Sequence, residues 1–302
     1  MIALLLLTCA VASDQEAPSS AEQRGKPFWK EVARECDVPP WATPSGLAHE
    51  AITLVGSPDP EWRDDIGYGV VAACIQKKQR LSAAERRSLV EPLLLNLRKG
   101  IGDTGNDSVL QRSFSALTLS LVAAAELREP ALDAPGYRRL LDDALAYLRD
   151  ERDLRGFEPR VGWIHATAHT ADLLKFLARD SRFTSDDQLR LLEAAWTRMA
   201  ASSAPVFTHA EDERLAAALV SVVRRDDFEA SRLDGWLQRF ATLEKQVWAK
   251  SPPDPQALDA AQNARNLLRS FYVLLSLPQP PPTAGQMAAR DKLLATLQQI
   301  RR

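Results

Sequence analysis

From residue 26 onward, apolar residues return at three- and four-residue spacing in segment after segment, and almost no stretch alternates apolar with polar. A chain with that pattern buries its surface by packing helix on helix, so sheet-based folds are excluded. Helices are expected at about 27–36, 45–55, 59–77, 82–99, 107–126, 135–151, 163–179, 185–202, 210–224, 229–249, 255–276 and 285–301. Their boundaries carry the matching chemistry. Ser57-Pro58-Asp59-Pro60 opens one helix, and Ser82 with Glu85 forms a capping box for the next. Thr184 or Ser185, followed by Asp186-Asp187, places acid at a further N-terminus, where the helix dipole favours it. Ser251-Pro252-Pro253-Asp254-Pro255 and Pro278 to Pro282 punctuate the last two helices.

Successive helices start about 20 to 30 residues apart, so a helix pair recurs every 45 to 50 or so, the period of stacked helical hairpins. No repeat consensus runs through the pairs. The expected fold is therefore all-α, an irregular helical-hairpin array of the HEAT/armadillo kind filling one domain over residues 26–302. An α/α toroid made of the same hairpins is the alternative.

Ahead of the helices, residues 1–12 read as an export signal. An apolar run ends in Ala10-Val11-Ala12, a small-x-small cleavage pattern, and residues 13–25 are a polar, flexible linker. The run is too short to span a membrane, and no other transmembrane segment is expected. It lacks the usual basic residues before the apolar core, which points to a start codon further upstream. The expectation is an exported protein, periplasmic or secreted. Lipid anchoring through Cys9 is the alternative, although Thr8 stands where a lipoprotein box normally has Gly or Ala. A formal charge of -2, with both signs mixed along the chain, excludes a nucleic-acid partner and a polybasic lipid contact. After signal removal Cys36 and Cys74 remain, either as one disulfide or as two buried thiols.

The chemistry concentrates between Arg155 and Asp172. Gly156, Pro159 and Gly162 make Arg155 to Gly162 a loop, and no helix breaker follows Trp163 as far as Ala178. On a helix starting there, His165, His169 and Asp172 fall at i, i+4 and i+7, within an arc of about 60°. The rest of that helix is apolar, so the row faces an interior pocket or groove. Three readings fit the row. His165 and His169 can share a metal ion such as zinc, with Asp172 as third ligand. Without metal, Asp172 can orient His169 as a general base. The third is a buried network that fixes helix packing. Trp163, beside His165, can wall the pocket.

Two further stretches bear on this one. Gly102 and Gly105 make a turn, Asn106, Asp107 or Ser108 caps the next helix, and Arg112 follows in an apolar stretch near Ser113 and Ser115. Buried there, Arg112 needs an anionic partner, internal or bound. In Phe207 to Leu215, His209, Glu211 and Asp212 can join the two histidines from a neighbouring hairpin, and Arg214 can pair with Asp172. The chain has no nucleophile elbow, P-loop, Rossmann glycine pattern or HExxH motif.

Three blocks now stand in order: Gly102-Asp103 through Arg112-Ser113-Phe114-Ser115; Arg155-Gly156-Phe157 with Gly162-Trp163-Ile164-His165, Ala168-His169 and Asp172; and Glu211-Asp212-Glu213-Arg214-Leu215. Together they resemble the bacterial family described as domain of unknown function 2785 (DUF2785), over residues 45 to 225 or so. One departure is Thr170, where the family commonly places Gly; another is the exported N-terminus. The resemblance implies a helical repeat-like domain and a polar site of Arg112, Arg155, His165, His169, Asp172 and Arg214. It implies no activity.

Two functions follow as expectations. The first is a non-catalytic scaffold that binds a protein, peptide or small-molecule ligand in a concave groove, with Arg112, Arg155, Trp163 and Arg214 among its contacts and no cofactor. The second is a hydrolase or lyase with His169 and Asp172 as acid/base pair and the arginines as an anion clamp, metal-free or assisted by a divalent ion such as zinc.

Overall fold

The computed structural model describes residues 21–201, 204–277 and 282–300. The export signal, the Cys9 anchor and most of the linker lie outside them. The last residues of the expected linker are helical, a short 3₁₀ turn leading into α1, Gly25–Glu35. That start is pinned down: the Trp29 indole donates to the Ala21 carbonyl, and Arg24 pairs with Glu50 over the ring of Trp41.

Among the described residues the chain is all-α apart from one hairpin of two two-residue strands. After α1 comes α2, Pro44–Ala51, capped by the Thr43 hydroxyl. Next is α3, a continuous helix whose turns are π over Glu61–Tyr68, α over Gly69–Ala72 and π again over Ala73–Lys77. The sulfurs of Cys36 and Cys74 are bonded, joining the end of α1 to the end of α3 across a Cα–Cα distance of 5.0 Å. The helix expected at 82–99 breaks at Leu89 into α4, Ala83–Ser88, and α5, Val90–Arg98. Ser82 and Glu85 form both halves of its capping box.

The remaining helices fall into two rows. In the first, α6 (Ser108–Glu126), α8 (Ala166–Leu177), α10 (Glu211–Val223) and α12 (Pro255–Ser276) pack side by side. In the second are α7 (Ala134–Asp150), α9 (Ser185–Met199), α11 (Asp234–Trp248) and α13 (Ala284–Gln299). Members of the first row are flanked on several sides, and their composition answers to that: α6 and α8 carry apolar or small residues on nearly every face and are buried almost throughout. Among the described residues α6 alone is long and apolar enough to cross a membrane, but 83% of its apolar window is buried inside the chain, as a core helix. Helices α7, α9 and α11 are amphipathic, with one buried stripe each. The arrangement sets the starts of α8 and α10 next to one another, with the hairpin beside them.

Candidate functional site

Residues 157–163 correct the expected helix start. Phe157–Glu158 pairs antiparallel with Gly162–Trp163 around the Pro159-Arg160-Val161 turn, so the backbone is extended where a first helical turn was expected. Gly162 takes φ +75°, and His165 itself is left-handed at φ 54°, so α8 starts only at Ala166. His165 is therefore the N-cap residue, off the helical row that His169 and Asp172 share.

Its imidazole nevertheless reaches the neighbouring helix start. Nε2 of His165 donates to the backbone carbonyl of His209 at 2.5 Å and lies 3.7 Å from Oε1 of Glu211. The receiving loop ends in a second left-handed residue, Ala210 at φ 65°, and Glu211 Oε2 accepts from the His209 amide. Gly156 is what allows the loops to meet: a Cβ there would sit 2.5 Å from Nδ1 of His209 and 2.9 Å from Oε1 of Glu211. Burial lowers the pKa of His165 despite the favourable His209 carbonyl and Glu211 carboxylate.

His169 is held by α6. The Ser113 hydroxyl donates to the Ile164 carbonyl, which can only accept. The 2.8 Å contact between Ser113 Oγ and Nδ1 of His169 must then carry the imidazole proton. Nδ1 is thereby the protonated nitrogen, and Nε2 keeps its lone pair with no partner among the described residues. Burial first, then the charges of His165, Arg214 and Arg63, push its pKa well below the usual histidine value. His169 is a neutral acceptor at pH 7.

A row of rings joins these groups to the surface. Phe157 and Trp163, 45% and 42% exposed, meet edge to face at 5.1 Å. Trp163 stacks on His165 at 4.7 Å, His165 meets His169 edge to face at 5.6 Å, and His169 meets Phe114 at 4.8 Å. Under Phe114, at 4.6 Å, is the guanidinium of Arg63, fully buried and donating to the carbonyls of Ser57 and Val161. Sequence reasoning missed Arg63, since nothing local distinguishes it from the charged start of α3.

Asp172 is not the partner of His169. Its oxygens accept from Lys175 at 2.8 Å and from Arg214, and the second pairing was expected. Tyr68 lies close enough for the Asp172 charge, after burial, to raise its phenol pKa. No three His, Cys, Asp or Glu among the described residues are grouped to share a metal ion, so the expected His165, His169 and Asp172 ligand set is not assembled.

Arg112 and Arg155, expected as ligand contacts, serve in the structure as loop clamps. Arg112 forms two bonds with Glu151, at 2.6 and 3.0 Å, and its remaining donors go to the carbonyls of Lys99, Gly100 and Asp103 and to Ser108. All five N–H groups are taken. Arg155 binds Asp153 through Nε and Nη2, and also Glu158 and the Asn106 carbonyl. Asp153 in turn accepts from the amide of Gly105. The two arginines thus lace the 99–108 loop to the 151–158 loop that carries the hairpin. Arg214, half exposed, keeps donors beyond its Asp172 bond.

Fold and site together define an all-α protein with an aromatic and histidine-lined polar face where two first-row helices begin. The chain belongs to the family described as "Protein of unknown function (DUF2785)", whose model matches residues 97–273. That span takes in both arginine clamps, His165, His169, Asp172 and Arg214, begins later than the resemblance read from sequence, and leaves Arg63 and Tyr68 outside. No curated protein and no solved structure matches the chain.

Proposed function

We propose that this chain is an exported binding protein built as an irregular array of helical hairpins. Its ligand would stack on Trp163, donate a hydrogen bond to Nε2 of His169 and meet Arg214 with an anionic group. The carrying observation is the exposed Trp163 held rigidly on a buried imidazole, itself fixed to the His209 carbonyl. A large aromatic surface immobilised before binding loses little conformational freedom when a flat ring lands on it.

An open HEAT-like array is supported by the spacing of the first-row helices, whose starts at Ala166, Glu211 and Pro255 differ by 45 and 44 residues. Export is supported by the small-x-small Ala10-Val11-Ala12 and by the Cys36–Cys74 bond, which persists in oxidising compartments.

The acid/base reading draws support from the lone pair on His169. Against it, burial holds that imidazole far below the pKa that suits a base at neutral pH, and Asp172 is turned to Lys175 and Arg214. Binding is the better reading.

The test is a thermal-shift screen of aromatic carboxylates and sugar acids against the native chain, Trp163→Ala and His169→Asn. His169→Asn keeps a donor for Ser113 and removes Nε2. Compounds that raise the native melting temperature and leave both variants unmoved support the proposal. If every compound that shifts the native chain shifts Trp163→Ala equally, the platform is wrong. Turnover of a hit that disappears with His169→Asn would favour the enzyme instead.

A further inference from the structure

Beyond the far end of α8, separate from the Trp163–His169 face, lies a second cleft, of about 590 Å³. His169 and Arg179 are ten residues apart, so the two places are about 15 Å from each other along the helix direction. The lining residues are Arg179, Ser181, Ser221, Arg224, Arg225, Asp226 and Asp227. Arginines elsewhere in this chain are mostly taken by carboxylates or backbone carbonyls, and Arg225 follows that habit. It pairs with Asp227 at 2.9 Å and caps the carbonyls of Ala178 and Asp180.

Arg179 and Arg224 do not. Arg179 is steadied from two sides, by Nε donating to Ser221 Oγ at 3.0 Å and by the Phe176 ring 5.3 Å from its guanidinium carbon. That leaves its terminal nitrogens, the planar fork that binds an oxyanion through two parallel bonds, without a partner among the described residues. Arg224, exposed and likewise without an ion pair among the described residues, adds a second positive charge, which after burial itself disfavours the charged form of Arg179. The opposing charges are Asp227, already on Arg225, and the exposed Asp226 at the same cleft. Arg179 and Arg224 thus bring two like charges to one cleft, and neither is in an ion pair among the described residues.

We infer that the Arg179–Arg224 cleft binds a tetrahedral oxyanion, a phosphate or sulfate group, free or carried on an organic ligand. Arg179 would grip it through its terminal nitrogens, Arg224 would supply the second charge, and the Ser181 hydroxyl is available in the lining. An ester carried on an aromatic group would find Phe176 beside the grip.

The experiment is a ³¹P NMR titration of the full chain with inorganic phosphate and, separately, phenyl phosphate. The native chain should bind at least one of them saturably. Arg179→Gln and Arg224→Gln should each weaken that binding at least about tenfold, the loss of one charge-assisted contact, with melting temperatures at or above native. Arg87→Gln, which removes an exposed arginine elsewhere, should bind as the native chain does. Tighter binding of phenyl phosphate would identify an ester as the ligand chemistry, and equal affinities a free oxyanion. Absence of saturable binding of either probe by the native chain overturns the proposal, as does binding that Arg87→Gln weakens equally or that neither cleft variant changes.

Discussion

Trp163 lies flat on His165, ring centroids 4.7 Å apart and planes at 23°, and the imidazole is anchored to the His209 carbonyl. The exposed indole thus takes its position from a backbone atom 46 residues further along the chain. A buried cushion of this kind makes a surface aromatic rigid, and in the same stroke fixes α8 to α10 where both helices begin.

The Arg112–Glu151 pair should be a main support of that geometry. Both side chains are buried, so Arg112→Met would strand a carboxylate in the interior and cost about 3–5 kcal/mol in denaturant unfolding. Adding Glu151→Leu should fail to restore native stability, since the carbonyls of Lys99, Gly100 and Asp103 still lack their donor. Full recovery in the double variant would reduce the clamp to a simple ion pair.

Gly156→Ala should destabilise by about 1–3 kcal/mol, because its Cβ collides with the His209 ring and the Glu211 carboxylate. Gly235, helical and with open space at its Cβ position, makes the comparison. Alanine there should be neutral or stabilise by up to about 1 kcal/mol. Equal effects at the two sites in urea melts would mean the 156–209 contact is loose.

Acid should weaken the fold through the histidines before it reaches the carboxylates. Burial depresses the native pKa of His165 and His169 below the unfolded value, so between the two values the unfolded chain binds more protons. The stabilisation is full above about pH 6.5, the unfolded value, and is lost as pH falls below it. Stability measured from pH 8 to 5 should decline, and His169→Asn should flatten the decline. A decline unchanged by that substitution would assign it to other groups.

Cys36 and Cys74 close a loop with a sequence separation of 38. Replacing both with Ala should cost about 2–4 kcal/mol, mainly through the greater freedom of the unfolded chain. The variant's unfolding midpoint measures it, and an unchanged midpoint would mean the bridge constrains little.

Much of this architecture was legible in the sequence, because periodicity and capping are local. Ser82 with Glu85, and Thr184 with Asp187, cap helices where their spacing places them. The site was legible as a set of residues and less so as a geometry. His165 looked like the first turn of a helix because nothing in Trp163-Ile164-His165 forbids one. The hairpin wins through pairing across Pro159-Arg160-Val161, and the left-handed turn brings the ring to the His209 carbonyl. Ser113 was visible as a polar residue in an apolar helix, but its partner is 56 residues away. Glu151 gave no sign that it would receive Arg112. Partners set by tertiary contact leave no local trace.

The most direct test of the account reads the protons on His169. A long-range ¹H–¹⁵N spectrum of the imidazole nitrogens at pH 7, assigned by its loss in His169→Asn, should show a neutral ring with the proton on Nδ1 and the lone pair on Nε2. A ring protonated on both nitrogens, or a neutral ring with its proton on Nε2, would contradict the Ser113 bond and remove the acceptor on which the proposed ligand contact depends.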